Sequence, residues 1–193
     1  MTASQPYAFS WKRAALIAAG LAVPAVLLAG CVGPLRQHPV GNAAVPEPRK
    51  SVDLTRYLGR WYEIARYEQF FEKDCDGVTA DYTLLANGRV GIVNGCRRPD
   101  GKRRDAKARA YVLPRSGNAK LKVSFFGPFF IGNYWVMDHA EDYSWAIVGD
   151  PSGRFLWLLD RRPNPPEAEV ALLVAQAAAL GYDTSLLRMT KQP

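Results

Sequence analysis

The sequence predicts an all-β domain, an eight-stranded up-and-down antiparallel β-barrel with one α-helix packed outside it near the C-terminus. Apolar and polar side chains alternate with a period close to two between residues 60 and 161, and turn residues recur about every 8–12 positions. After residue 164 the period becomes helical. The 193 residues, of which 48% are hydrophobic, suffice for one domain with its own core.

Eight strands are expected. The first runs from residue 60 to about residue 67, and the clearest hairpin joins residues 78–86 to residues 89–94 through Asn87-Gly88. This dipeptide favours a type I′ turn, in which both central residues have positive φ. The other five strands are expected at about residues 105–113, 120–126, 134–138, 144–148 and 154–160. A closed barrel leaves no free sheet edge, whereas a sandwich is the alternative architecture.

One helix is expected at about residues 166–180. Asn164 is placed to cap its N-terminus, prolines stand at its entry, and Glu167 lies in its first turn. Gly181 is the expected stop signal. The apolar face has helical spacing and consists of Val170, Leu173, Val174, Ala177 and Leu180. Residues 183–189 are compatible with one more short strand.

The N-terminus carries the pattern of a secretory signal, in which Lys12 and Arg13 precede an apolar stretch that ends at residue 29. The next feature, Leu28-Ala29-Gly30-Cys31, resembles the lipobox of bacterial lipoproteins. The resemblance implies that residues 1–30 are a signal peptide and that Cys31 is acylated, which would give a stable membrane anchor. An uncleaved anchor and a plain secretory signal are the alternatives.

Residue 32 is valine. In lipoproteins of this kind an aspartate at that place tends to retain the protein at the inner membrane, so the resemblance implies the outer membrane and its periplasmic face. Residues 31–50 contain four prolines and no periodicity, which predicts a flexible tether. The barrel domain is then expected to occupy residues 51–193.

The charge and composition narrow the function classes. The formal net charge is +7, but the sequence has neither a basic helix nor a nucleic-acid motif, so no nucleic-acid partner is expected. A lipid surface or plain solubility explains the excess of cations better. The chain contains only two histidines and lacks the spacing of a metal site, a Gly-x-Ser-x-Gly motif and a phosphate loop. No catalytic residue, metal or cofactor is predicted.

Several segments together resemble the lipocalin family. Gly59-Arg60-Trp61 matches the Gly-x-Trp signature at the start of the first strand, Asp142-Tyr143 matches the second signature, and Arg161 matches the third. Residues 121–129 resemble a segment of the bacterial lipocalins. The resemblance implies that these signature residues are structural, with Trp61 closing one end of the barrel beneath the Arg161 guanidinium.

The resemblance also implies a function. A membrane-anchored bacterial lipocalin would bind a fatty acid or a lysophospholipid in its barrel, for lipid storage, transport or envelope maintenance, and would not be an enzyme. The alternatives are a carrier of another lipophile (an isoprenoid, a tetrapyrrole or an antibiotic), a lipid-modifying enzyme on the same barrel, and a structural envelope protein with a filled barrel. Members of the family can dimerise, so a homodimer is among the expected partners.

The two remaining cysteines, Cys75 and Cys96, would lie in an oxidising compartment, which predicts a disulfide. They are four residues out of register across the Asn87-Gly88 turn. Cys75 must therefore lie in the loop before its strand, or a bulge must absorb the difference. A free reactive thiol is the alternative.

Strand parity, anchored on an inward Trp61 and on the family resemblance, predicts the cavity lining. Arg109 is expected to meet a carboxylate or phosphate head group, and Glu63 is expected to pair with Arg109 or a choline-like cation. Alternatively, both lie at the rim. The complete expected lining is Glu63, Ala65, Tyr82, Leu84, Arg109, Tyr111, Val123, Phe125, Tyr134, Phe155 and Trp157.

Overall fold

The structure is a computed structural model that describes residues 39–193; the proposed signal peptide, Cys31 and the first part of the tether lie outside the described residues. None of the helices in residues 39–193 has the length and apolar character needed to cross a membrane. The elements in chain order are α1 (Leu54–Tyr57), β1 (Gly59–Tyr67), β2 (Asp76–Leu84), β3 (Val90–Arg97), β4 (Arg103–Val112), β5 (Lys120–Ser124), β6 (Gly132–His139), β7 (Trp145–Gly149), β8 (Leu156–Asp160), α2 (Glu167–Ala179) and β9 (Leu187–Met189).

The strands form a closed antiparallel barrel. Each of β1 to β7 pairs with the next strand along the chain, and β8 pairs with β1, which closes the ring. β1 pairs with β2 through residues 59–62, and β9 joins the same edge at residues 65–67. The predicted eight-stranded barrel is thus confirmed, with a short ninth strand covering the edge of β1 that β2 leaves free.

The turn between β2 and β3 differs from the prediction. Gly88 has a φ of 75°, whereas Asn87 is not in the positive-φ region, so the turn is not type I′. The Leu85 N–H donates to the Arg89 carbonyl and the Gly88 N–H donates to the Leu85 carbonyl. This is a three-residue connection with glycine in the left-handed position, the next commonest hairpin geometry.

A β-bulge in β1 decides which of its side chains face the interior. Glu63 pairs with Leu159 and Ala65 pairs with Leu158, so Ile64 is an extra residue on β1. Because side chains alternate with a period of two, one inserted residue inverts the faces beyond it. Glu63 and Arg66 therefore lie on the inner side, and Ala65 lies on the outer side.

Two apolar clusters pack on the two faces of the sheet. The inner cluster fills the end of the barrel that contains Trp61, and it also includes Tyr82 and Val136. The outer cluster includes Ala65 and Ile147 from the strands and Leu173 from α2. Amphipathic α2 thus covers the outside of the barrel, as expected from its spacing.

The ends of α2 agree only in part with the sequence-based expectation. Gly181 ends it as predicted, with a φ of 91° and its N–H donating to the Ala178 carbonyl. The expected Asn164 cap is wrong, since Pro166 occupies the N-cap position without a side-chain hydrogen bond. The Asn164 amide instead donates to the carbonyl of Pro193.

Trp61 closes one end of the barrel. Its side chain is fully buried, and its indole N–H donates to the Tyr57 carbonyl over 2.8 Å. The Arg161 guanidinium carbon lies 3.7 Å from the centre of the Trp61 ring. Arg161 also donates to the carbonyls of Arg56 and Arg60, each over 2.7 Å. A cation over an indole face, tied to main-chain acceptors on both sides, holds the segment before β1 against the end of β8.

The short helix α1, which the sequence patterns did not reveal, lies across this closed end. Asp53 caps it by accepting from the N–H groups of Thr55 and Arg56. The Asp53 N–H in turn donates to the hydroxyl of Tyr143. Tyr143 has a φ of 62° and stacks on His139, with the ring centres 4.4 Å apart. The second signature therefore contacts the first helix.

Cys75 and Cys96 form a disulfide, with their Cα atoms 5.4 Å apart. The register of β2 and β3 shifts between Asp76 and Thr79, and Cys75 immediately precedes β2. The two arrangements expected as alternatives, a loop position for Cys75 and a bulge between β2 and β3, are both present. With Val78 the two cysteines form a small cluster of their own.

We predict that Trp61→Ala lowers the free energy of unfolding by about 3–5 kcal/mol, because a large aromatic core residue leaves a cavity. Urea unfolding followed by circular dichroism measures it. Arg103→Ala, which removes an exposed ion pair with Asp105, is the control and is expected to cost under about 1 kcal/mol. Equal stability of the two variants would refute the closing role of Trp61.

We also predict that replacing Cys75 and Cys96 together by alanine lowers the free energy of unfolding by about 3 kcal/mol, because the bond closes a loop of 21 residues. The same unfolding assay, run on the wild type with and without reductant, provides the comparison. A reductant effect that persists in the double variant would show that another group is responsible.

Candidate functional site

A cavity of about 360 Å³ lies inside the barrel. We call the end that carries the β1–β2, β3–β4, β5–β6 and β7–β8 connections the open end, and the end sealed by Trp61 the closed end. Side chains from three of those connections, including Phe71, Ile131 and Phe155, border the cavity. The cavity volume falls at the lower end of the range for small-molecule sites.

Seven of the eleven residues expected to line the cavity do border it. They come from five strands and two connections of the barrel, and most are aromatic or aliphatic. They are Glu63, Tyr82, Val123, Phe125, Tyr134, Phe155 and Trp157.

Ala65 and Leu84 do not border the cavity. Ala65 has the parity of Trp61, but the bulge at Ile64 turns it outward into the cluster beneath α2. Leu84 lies at the closed-end tip of β2 and is 60% exposed. The first placement failed because bulges leave no reliable sequence signal, and the second because the strand runs past the cavity.

Arg109 and Tyr111 lie on the outer face of β4, which corrects the inward placement expected for them. Ala108 and Ala110 pair with Ile92 and Val90, whose side chains are buried inside, and directly opposed residues share a face. Arg109 is exposed. Tyr111 packs outside the barrel on Phe130, with ring centres 5.0 Å apart. Arg109 is therefore not placed to meet a head group in the cavity.

Two lining residues that the sequence patterns missed come from the β1–β2 connection. Phe71 stacks on Phe155, with ring centres 6.3 Å apart, and Phe155 stacks on Trp157. Glu72 accepts a 3.0 Å hydrogen bond from the indole N–H of Trp157. The run Phe70-Phe71-Glu72 in a loop was the available signal, because aromatic side chains in a surface connection are unusual without a function.

A buried ion pair stands beside the cavity. Arg66 is 0% exposed and donates to the Glu63 carboxylate over 2.7 Å. The hydroxyl of Thr190 also donates to Glu63, and Arg66 donates to the carbonyls of Glu72 and Cys75. Burial raises the pKa of Glu63, while Arg66 opposes that rise. Arg66 therefore has its own partners and is not a free cation for a ligand.

Of the two glutamates that border the cavity, Glu72 has the more distant cationic partner. Its nearest cationic atom, Arg66 Nε, is 3.9 Å from the carboxylate oxygen, beyond hydrogen-bonding distance. Burial, and next the charge of Glu63, raise the pKa of Glu72 to about 8. Near neutral pH this carboxyl is mostly protonated, and its charge appears as the pH rises through 8.

The inner part of the cavity has a polar spot made of tyrosine hydroxyls. The hydroxyl of Tyr134 lies 2.8 Å from those of Tyr57 and Tyr82. Burial raises the pKa of all three, so they remain neutral donors and acceptors. In residues 39–193 no cluster of three or more histidine, cysteine or acidic side chains could hold a metal ion. The site thus combines apolar walls with a few hydrogen-bonding groups, which suits binding by burial.

Comparisons with known proteins agree with this architecture. Residues 52–192 match the family model of the lipocalin-like domain. The outer membrane lipoprotein Blc of Vibrio cholerae serotype O1 is 36% identical over 172 residues, which cover 86% of this chain and 94% of the relative. Mouse apolipoprotein D is 32% identical over 162 residues, which cover 79% and 84%.

Among solved structures, insecticyanin from the tobacco hornworm Manduca sexta superposes with a TM-score of 0.62 at 20% identity, covering 80% of this chain and 88% of that one. That likeness concerns the fold alone. The family match and the sequence relatives go further, since lipocalins bind and carry lipophilic molecules and are not enzymes. This chain belongs to the lipocalin family.

Proposed function

We propose that this lipocalin binds a single-chain lipid, a fatty acid or a lysophospholipid, in its barrel for lipid storage, transport or envelope maintenance. The observation that carries the proposal is the cavity of about 360 Å³ with aromatic and aliphatic walls. Such walls favour a lipophile by burial of apolar surface. The volume suits one acyl chain better than the two chains of a phospholipid.

The proposal includes anchoring at the periplasmic face of the outer membrane through Cys31. The lipobox-like Leu28-Ala29-Gly30-Cys31 supports it, as does the name of the Vibrio cholerae relative, an outer membrane lipoprotein. Residues 32–38 would join the anchor to the domain, on which the chain is packed from Gly41 onward, where the N–H groups of Gly41 and Asn42 donate to the Gly153 carbonyl. Arg109 points outward and the described lining contains no lysine or arginine, so the cavity holds the acyl chain by its apolar walls rather than by an ion pair with the head group.

We predict that native mass spectrometry of the protein purified from cells finds a co-purifying single-chain lipid. Ala80→Trp, which fills the cavity from β2, is expected to lower the affinity for an added lysophospholipid at least about tenfold. Lys107→Trp adds the same side chain on the exposed face of β4 and is the matched control.

A different co-purified lipophile, or chemical turnover of the added lipid, would replace the proposal with the corresponding alternative. Equal lysophospholipid affinity of Ala80→Trp and Lys107→Trp would show that the ligand does not occupy the barrel. Circular dichroism of both variants checks that the fold is retained.

We further predict that the affinity for a fatty acid falls as the pH rises from 7 to 9. Glu72, whose pKa is raised to about 8, gains negative charge over that range and repels the ligand carboxylate. A several-fold loss is expected in calorimetric titrations at constant ionic strength. The affinity for lysophosphatidylcholine, whose ammonium is permanent, is expected not to fall.

Glu72→Gln is expected to remove the pH dependence of fatty-acid binding. Asp74→Asn is the matched control, because Asp74 is an exposed carboxylate of the same connection and asparagine tolerates its positive φ of 61°. Identical pH profiles for the wild type and Glu72→Gln would assign the effect to another group.

A further inference from the structure

The open end carries a set of large apolar side chains exposed to solvent. In the β5–β6 connection Phe126, Phe129 and Ile131 are 81%, 70% and 83% exposed. In the β1–β2 connection Phe71 is also exposed, and its ring reaches the cavity together with Ile131. We call these four residues the apolar rim. Exposed apolar patches beside a binding cavity mark an interaction surface.

The β5–β6 connection has no charge to keep it in water. Residues 125–131 contain no acidic or basic side chain. Phe130 differs from the exposed side chains of this connection, because it packs on Tyr111 outside the barrel and lies beneath the Arg89 guanidinium. This contact fixes one side of the connection and leaves Phe126 and Phe129 directed away from the core.

A basic hairpin borders the same end. Between residues 97 and 105 the β3–β4 hairpin has five cations and two carboxylates. The carboxylates of Asp100 and Asp105 pair with Lys102 and Arg103. The hairpin is exposed and keeps an excess of positive charge at the open end.

We propose that the open end docks on an anionic phospholipid bilayer, with the apolar rim inserted at the interface and the basic hairpin on the lipid head groups. Aromatic and aliphatic side chains beside cations are the composition of surfaces that lie in a membrane interface. The excess cations select an anionic surface. A second copy of this chain has the same excess of cations, so it does not supply the negative charge that complements the hairpin.

Docking in this orientation places the cavity mouth against the lipid. A ligand then passes between bilayer and barrel without crossing water. The inference does not depend on which ligand the cavity holds, because it concerns the rim and the hairpin. Lipid docking and ligand binding are therefore measured separately.

The test uses the full chain incorporated in vesicles of phosphatidylethanolamine and phosphatidylglycerol that contain spin-labelled lipids. Phe126→Cys carries an environment-sensitive fluorophore at the apolar rim. Leu84→Cys carries the same fluorophore at an exposed apolar position of the closed end and is the matched control. Cys75 and Cys96 are bonded to each other, and any label at Cys31 is common to both variants.

The expected result is strong quenching by the spin-labelled lipids at position 126 and little at position 84. Equal quenching at both positions, or none at position 126, would overturn the proposal. Protection of position 126 without lipid quenching, together with cross-linked dimers, would assign the rim to a second copy and also overturn it.

The charge contribution is tested in the Phe126→Cys background. Adding Arg98→Ser and Arg104→Ser is expected to lower the rim's bilayer affinity about tenfold or more, whereas Arg115→Ser at the closed end leaves it unchanged. With vesicles of phosphatidylcholine alone, Phe126→Cys without the arginine substitutions is expected to show the same loss of bilayer affinity. Full quenching in the double arginine variant would refute the selection of an anionic surface.

Discussion

The contact of Arg161 with Trp61 is the constraint on which the barrel depends. A barrel with a cavity needs one end that excludes water while the other admits a ligand, and here the seal consists of one indole and one guanidinium. The guanidinium does more than cover the ring, because it also donates to the carbonyl of Arg56 before β1 and to that of Arg60 at the start of β1. The end of β8 is thereby joined to the start of β1, so closure of the ring and closure of its end rest on the same side chain.

The buried charges beside the cavity show a second constraint. Arg66 and Glu63 are withdrawn from water, and burying a pair without further partners is unfavourable. The carbonyls of Glu72 and Cys75 in the β1–β2 connection and the hydroxyl of Thr190 near the C-terminus supply those partners. The C-terminal strand β9, which brings Thr190 into place, thus satisfies an internal charge as well as a sheet edge.

The order of strands, the position of α2 and the disulfide were predictable from sequence because each has a local periodic or pairwise signal. The orientation of β4 was also available from its alternation, since Ala106, Ala108 and Ala110 form the small apolar series that faces inward. The inward placement of Arg109 chose the opposite parity. The bulge at Ile64 was not predictable in this way, because it depends on pairing with β8, which is distant in sequence. Arg66 meets the Glu63 carboxylate only because the bulge turns both side chains to the inner side.

The bulge gives β1 two functions within three residues. Before it, Glu63 faces the cavity, and just after it Ala65 faces α2. Shortening β1 by one residue at this point would exchange the two faces for the rest of the strand, placing a charge under the helix. A deletion in the exposed turn at residues 98–102 would alter only that turn. Tolerance to insertions and deletions is therefore set by register, so the length of β1 is fixed while the length of the exposed β3–β4 turn is free to vary.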